Sequence, residues 1–342
     1  LTIIVSSNHE YFTATHREAN TMFGGLMSAN GVSPTGNYAV VSRSRVDEAP
    51  ISYVLDRDGK QVLELELADI SGLPQDWQWP EPVKMKAADG KTDIYGVIYR
   101  PRDFSPDKAY PIIDIGFNVP DAPTVPKGSF TNSMIFGGTF YKPFALAELG
   151  FIVVQIDGRG LPYRSRDFMD HAYGCANDSN DLADHVAGIE QLATRYPYMD
   201  SDRVGIMTMT GGAGGLMGLL NHPEFFKVGV QDTLPDSRLW GSTMWGDMFE
   251  GESPSYTQLE DLVDNLKGKL LLMHNLMDHA AHPAATFRIV HALQEAGKDY
   301  DLVIEPKPKF FRGMSAYQDR RIWDHFVKHL LGETPPHEFK LD

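Results

Sequence analysis

From residue 111 onward the chain repeats one pattern, a short apolar run followed by a stretch of helical periodicity. Strand-like PIIDIGF (111–117), FIVVQID (151–157), RVGIM (203–207), KVGVQ (227–231), KLLLMH (269–274) and DLVIE (301–305) alternate with helix-like ALAELG, NDLADHVAGIEQLATRYP, LMGLLNHP, PAATFRIVHALQEAGK and DRRIWDHFVKHLLG. A strand that is apolar on both faces must be covered on both. A helix between successive strands returns the chain to the same end of the sheet. The pattern therefore predicts an α/β fold with a doubly wound, mostly parallel sheet.

The first part of the chain reads differently. NYAVVSRSRV (37–46), ISYVLD (51–56) and QVLELEL (61–67) are β-like runs separated by PTGN and DRDGK turn signals, which predicts an antiparallel meander. Three or four strands cannot close a barrel or a propeller, so this piece must lean on something else or be the end of a larger β domain. The segment LPQDWQWPEP (73–82) reads as a linker. The expected division is a β-rich segment and linker over 1–82 and an α/β domain over 83–342. No internal repeat is visible.

With 342 residues, 42% of them hydrophobic, the chain can bury a large core, and no apolar run is long enough to cross a bilayer. The net charge of −15, uninterrupted by a basic cluster, argues against nucleic-acid partners. Cys175, the one cysteine, cannot form an internal disulfide and leaves the redox compartment open; its surroundings supply no activating charge for a reactive thiol. The opening LTIIV lacks the basic start and long apolar core of a signal peptide, and the expectation is the remainder of a longer chain.

One glycine-rich turn carries the chemical question. TMTGGAGG (208–215) lies between the strand-like RVGIM and the helix-like LMGLLNHP. A dinucleotide cradle starting at Gly212 would require glycine at 217, where Met217 stands. Two readings remain: a structural turn whose glycines let a helix pack on a strand, and a nucleophile elbow in the frame Thr208-Met209-Thr210-Gly211-Gly212. The chain order favours the elbow. In α/β-hydrolases an acid follows the nucleophile after a later strand, and KLLLMHNLMD (269–278) ends in Asp278.

Several further segments then resemble, in order, the catalytic domain of the prolyl oligopeptidase / dipeptidyl peptidase IV family of serine peptidases. They are Asp157-Gly158-Arg159-Gly160, YPYMDSDRVGI (196–206), HPEFFKVGV (222–230), LKGKLLLMHNLMDHAAHPAAT (266–286), ALQEAGKDYDLVI (292–304) and WDHFVKHLLG (323–332). The resemblance covers about residues 83–335 and implies an α/β-hydrolase domain, with the β-rich start similar to the last strands of that family's propeller. It implies peptide cleavage, often after proline, by a serine nucleophile, a histidine base, an orienting aspartate and an oxyanion hole completed by a tyrosine hydroxyl.

Set against the family motif residue by residue, only the aspartate position, Asp278, keeps its residue type. Where the family reads G-H-S-G-G-G, this chain has Thr208-Met209-Thr210-Gly211-Gly212-Ala213, so the nucleophile position is Thr210 and Thr208 replaces the glycine that closes the turn. A β-branched side chain is disfavoured at the strained backbone of an elbow. The histidine position, in a segment the family writes P-N-A-N-H-G-F, is Phe310, and no histidine lies between His291 and His325. The oxyanion tyrosine position is Phe117. Without a base the hydroxyl keeps its high pKa, and loss of a triad member costs several orders of magnitude in rate.

The expectation is a pseudopeptidase that binds a peptide or small-molecule ligand in the cleft, or a partner through the cleft or the hydrolase surface. The alternative is a weak or diverted hydrolase using Thr210 with Asp278. His274, His279 and His282 around Asp278 form a cluster that matches no standard zinc spacing, and His279 is also a candidate displaced base. Lys307 and Lys309 flank the missing histidine and are read as solvated or as contacts for an anionic ligand. No cofactor is expected. The sequence leaves the compartment and the oligomeric state open; the family resemblance favours a periplasmic location and makes a homodimer through the hydrolase domain and its outer helices a candidate arrangement.

Overall fold

The structure is a computed structural model that describes residues 11–13, 31–116, 123–130, 140–174, 181–208, 212–234, 249, 258–278, 281–306 and 315–341. Twelve strands form two sheets among these residues. Strands β1 (Tyr11–Thr13), β2 (Tyr38–Arg45), β3 (Glu48–Asp56) and β4 (Gln61–Leu67) make a four-stranded antiparallel meander in chain order. The β3–β4 turn is built by its own residues. Asp56 Oδ1 accepts hydrogen bonds from the Asp58 and Lys60 N–H groups at 3.0 and 2.9 Å, and Gly59 takes the left-handed conformation, φ 84°.

The second sheet contains β5 (Glu81–Lys86), β6 (Asp93–Tyr99), β7 (Tyr110–Gly116), β8 (Ile152–Asp157), β9 (Met199–Thr208), β10 (Phe226–Asp232), β11 (Lys269–Asn275) and β12 (Asp301–Glu305). Its order is β12-β11-β10-β9-β7-β8-β6-β5. Pairing is parallel from β8 to β12 and antiparallel at β5–β6 and β6–β8. Helices α1 (Tyr141–Ala147), α2 (Arg166–Met169), α3 (Leu182–Arg195), α4 (Gly214–Asn221), α5 (Ala284–Glu295) and α6 (Ala316–Phe326, continued by a π-helical turn Val327–Leu331) connect or follow the strands.

Alternation along the strands divides the core in two. Ile112, Ile152, Val154, Leu270 and Leu272 point to one side, where α3, α4 and α5 bring Ile189, Leu192, Leu216, Leu219, Ile289 and Leu293. Ile113, Ile115, Val153, Leu271 and Met273 point to the other, where α1 and α6 bring Leu146, Ile322 and Phe326. The apolar strand runs thus have helices on both faces, as the doubly wound reading requires. The doubly wound, mostly parallel sheet is what the strand–helix pattern predicts, and its α/β-hydrolase type, preceded by a small antiparallel sheet, is what the family resemblance implies.

The segment read as a linker over 73–82 does more than connect. Its last two residues, Glu81 and Pro82, already belong to β5. Trp77 packs on Phe144 of α1 with ring centroids 4.4 Å apart and the planes tilted by 32°, and Trp79 packs edge-on against Phe130 at 5.6 Å. The large apolar area of two tryptophans explains why this stretch lies against the domain.

Candidate active site

The sheet reverses its winding at β7: the chain passes from β7 to β8 on one side, then to β9 on the other. At such a switch point the loops leaving the carboxyl ends of neighbouring strands diverge and open a crevice, the usual ligand site of an open α/β sheet. Here those ends are Gly116 and Thr208, directly paired in register, with Gln231 next to Thr208 on β10. Asn275 and Glu305 pair at the same edge, on β11 and β12.

Phe117, Thr210 and Phe310 follow these strands in the sequence but lie outside the described residues, as do His279, Lys307, Lys309 and Cys175. Thr208 closes β9 and is fully buried. The glycine-rich turn is described from Gly212 onward, and its exit is held by Gln231, which is buried at the end of β10. Its side-chain amide donates to the Gly212 carbonyl at 2.7 Å, and its Oε1 accepts from the Leu216 N–H at 3.1 Å, satisfying a donor at the start of α4. Gly215 is required by close approach. A Cβ there would lie 2.1 Å from the Val230 carbonyl oxygen, so α4 rests directly on the β10 backbone. This is the helix-on-strand role weighed for the glycine-rich turn. Just beyond, Thr233 is buried in the left-handed region, φ 57°, which costs a β-branched residue on the order of 1 kcal/mol or more.

Asp278 is buried in the turn after β11, where its Oδ1 accepts from the Ala281 N–H at 3.0 Å. It also lines a shallow groove of about 590 Å³ with Leu276, His282, Phe287, Arg288 and His291. The neighbouring histidines have structural duties. His274 is fully buried, its Nε2–H donating to the Ala281 carbonyl at 2.9 Å and its Nδ1 accepting from the Thr286 hydroxyl at 2.7 Å. Neither nitrogen is left to bind a metal. His282 Nδ1 accepts from the Ala284 N–H at 3.1 Å, at the start of α5.

A second network brackets the chain between β12 and α6. Gln318 donates to Asn275 Oδ1 at 3.0 Å, and Asn275 donates to Glu305 Oε2 at 3.3 Å. The Ser315 hydroxyl donates to the other Glu305 oxygen, and Ser315 and Gln318 form a capping box on α6. Glu305 and Ser315, which flank residues 306–314, are thereby tied together. The sequence reading did not single out these residues, although Ser315-x-x-Gln318 carries the capping signal.

Asp157-Gly158-Arg159-Gly160 also has a physical role. Asp157 Oδ1 accepts from the Thr124 and Val125 N–H groups at 2.7 and 2.9 Å, and Lys127 pairs with its other oxygen, so the chain after β7 is pinned to the end of β8. Arg159 holds the buried Asp184 of α3 through its guanidinium, with an Nη2–Oδ1 distance of 2.8 Å. Burial alone would raise the Asp184 carboxyl. Hydrogen bonds from the Arg159 side chain and backbone and from the Ala88 N–H outweigh it and hold the pKa below the usual carboxylate range.

Residues 139–333 match the sequence profile of the group described as the prolyl oligopeptidase family. Human dipeptidyl peptidase 8 is 29% identical over 275 residues, which is 78% of this chain and 29% of that protein. Dipeptidyl peptidase family member 1 of Caenorhabditis elegans is 28% identical over 45% of this chain and 20% of its own length. Among solved structures, a provisionally assigned dipeptidyl aminopeptidase IV of Bacteroides ovatus superposes with a TM-score of 0.74 at 27% identity, covering 87% of this chain and 43% of that one. Porphyromonas gingivalis dipeptidyl peptidase 4 gives 0.68 at 20% identity, covering 88% and 42%. The chain thus spans less than a third of these two curated relatives and less than half of the solved chains. No helix among the described residues is long and apolar enough to cross a membrane.

Proposed function

We propose that this chain, which belongs to the prolyl oligopeptidase family, is a pseudopeptidase that uses the hydrolase cleft to bind peptides without cleaving them. The observation that carries the reading is the connection from β12 to α6. Residues 306–315, where the family resemblance puts the catalytic base, contain no histidine, and Phe310 stands at its position. Acyl transfer from an alcohol requires a base to take the hydroxyl proton, and an unassisted threonine stays protonated at neutral pH. Among the described histidines, His274 has both ring nitrogens engaged, and His185 lies between two aspartates inside the core. Thr210 at the nucleophile position and Phe117 at the oxyanion position point the same way.

What remains is a scaffold suited to binding: the switch-point crevice, an anchored elbow exit, and Asp278 beside a groove with apolar Leu276 and Phe287. Peptides carrying proline at the second position are the ligand class, following the family resemblance. The test is isothermal titration of such peptides into the purified protein, with mass spectrometry of the recovered peptide after prolonged incubation. Saturable binding with intact peptide is expected. Cleaved peptide from the wild-type protein overturns the proposal. Absence of binding overturns the ligand assignment.

A further inference from the structure

At the opposite end of the sheet from the candidate active site, three potential metal ligands converge. Asp301 opens β12, and His325 and His329 are one turn apart where α6 passes into its π-helical turn. One ligand atom from each residue lies within 4.8 Å of the other two. The Nδ1 of His325 is 3.5 Å from Asp301 Oδ2, and the two imidazole centroids are 4.7 Å apart.

The tautomer of His325 makes this arrangement informative. Its Nε2 faces the Lys269 carbonyl oxygen at 3.4 Å. In the tautomer that turns Nε2–H to this carbonyl, the Nδ1 lone pair faces the Asp301 carboxylate. A cation between these two electron-pair donors would bind both. A backbone carbonyl receiving the far N–H of a ligating histidine is the usual outer support of a metal site, and it aims the lone pair. The 3.5 Å separation also lies close to the edge of about 3.3 Å of a tetrahedron with bonds of about 2.0 Å.

We propose that Asp301, His325 and His329 form a binding site for a divalent transition cation, with Zn²⁺ as the best match. Two imidazoles and a carboxylate suit Zn²⁺ better than Ca²⁺ or Mg²⁺, which prefer all-oxygen shells. Asp301 is 54% exposed on its side chain, so the fourth position opens to water. The ion ties the terminal helix to the edge strand of the sheet and is separate from any chemistry at the elbow. Lys269 and Lys328 lie near His329 and oppose a cation there, which sets an upper limit on affinity.

The test is a Zn²⁺ titration of the chelator-stripped, full-length protein in competition with a chromophoric chelator, alongside thermal melts with and without Zn²⁺. The proteins compared are wild type, Asp301→Asn and His329→Ala, with His282→Ala as a control in the other histidine cluster. Neither Asp301 nor His329 is fully buried, so both variants should fold, which the metal-free melts check. One equivalent is expected in wild type and His282→Ala, with affinity reduced about tenfold or more in the other two and the Zn²⁺-induced rise in melting temperature abolished. No saturable binding by wild type, or binding equally tight in Asp301→Asn and His329→Ala, overturns the assignment.

Discussion

His185 Nδ1 lies 2.7 Å from Asp114 Oδ2, with both side chains fully buried between α3 and the centre of the sheet. On the other side of the ring, Nε2 is 3.2 Å from Asp181 Oδ2. Burial disfavours the imidazolium, but the two carboxylates outweigh it and raise the His185 pKa well above its usual value. The cluster is therefore an ion triad inside an otherwise apolar face. Asp114→Asn removes the shorter of the two carboxylate contacts to the imidazolium and keeps the one to Asp181, so the expected loss is that of one buried charge-assisted hydrogen bond, about 2–3 kcal/mol in urea unfolding.

The same triad fixes a pH dependence. A folded-state pKa above the unfolded value of about 6.5 means the stabilisation is complete below that pH and fades as pH rises through the folded value. Urea unfolding of wild type and His185→Gln between pH 6 and 9 should give curves that converge toward alkaline pH. Parallel curves would mean that His185 is neutral in the folded protein.

Gly215 allows a sharper prediction because the ordinary rule points the other way. Glycine to alanine inside a helix normally stabilises by up to about 1 kcal/mol. Here the new methyl would meet the Val230 carbonyl oxygen at 2.1 Å, a backbone atom that cannot step aside. Gly215→Ala should therefore lower the melting temperature by several degrees, while an unchanged or raised value would show that α4 can lift off β10.

Ser315 closes the α6 capping box and also reaches Glu305. Ser315→Ala removes both contacts, and a loss of about 1–2 kcal/mol in denaturant unfolding is expected. If the peptide cleft depends on the Glu305–Ser315 tie, peptide affinity should fall in the same variant even under conditions where it is fully folded.

The apolar strand runs are legible because a strand buried on both faces has nothing polar to interrupt it; all six runs from 111 onward lie within a strand to the residue or within one position. β5 and β6 were not singled out. In β5, Val83 and Met85 point inward and Lys84 and Lys86 outward, a period of two hidden behind a proline- and tryptophan-rich approach. The place of Asp278 in the turn after β11 could be read from chain order, since it depends on one strand end. Gln231, Asn275 and the His185–Asp114 pair could not, because each takes its meaning from a partner brought close only by sheet order. His185 and Asp114 are 71 residues apart. The His325–His329 spacing is visible in the sequence, but Asp301 joins it only through the packing of α6 against the start of β12.

The most direct measurement of the central claim is turnover of a panel of fluorogenic Xaa-Pro amides and activated esters by the wild-type protein beside Thr210→Ala and the double variant Thr210→Ser/Phe310→His. The account predicts no difference between wild type and Thr210→Ala, with any detectable turnover confined to the double variant. Turnover by wild type that disappears in Thr210→Ala would contradict it, because the elbow would then still be an active site served by a base other than the family histidine.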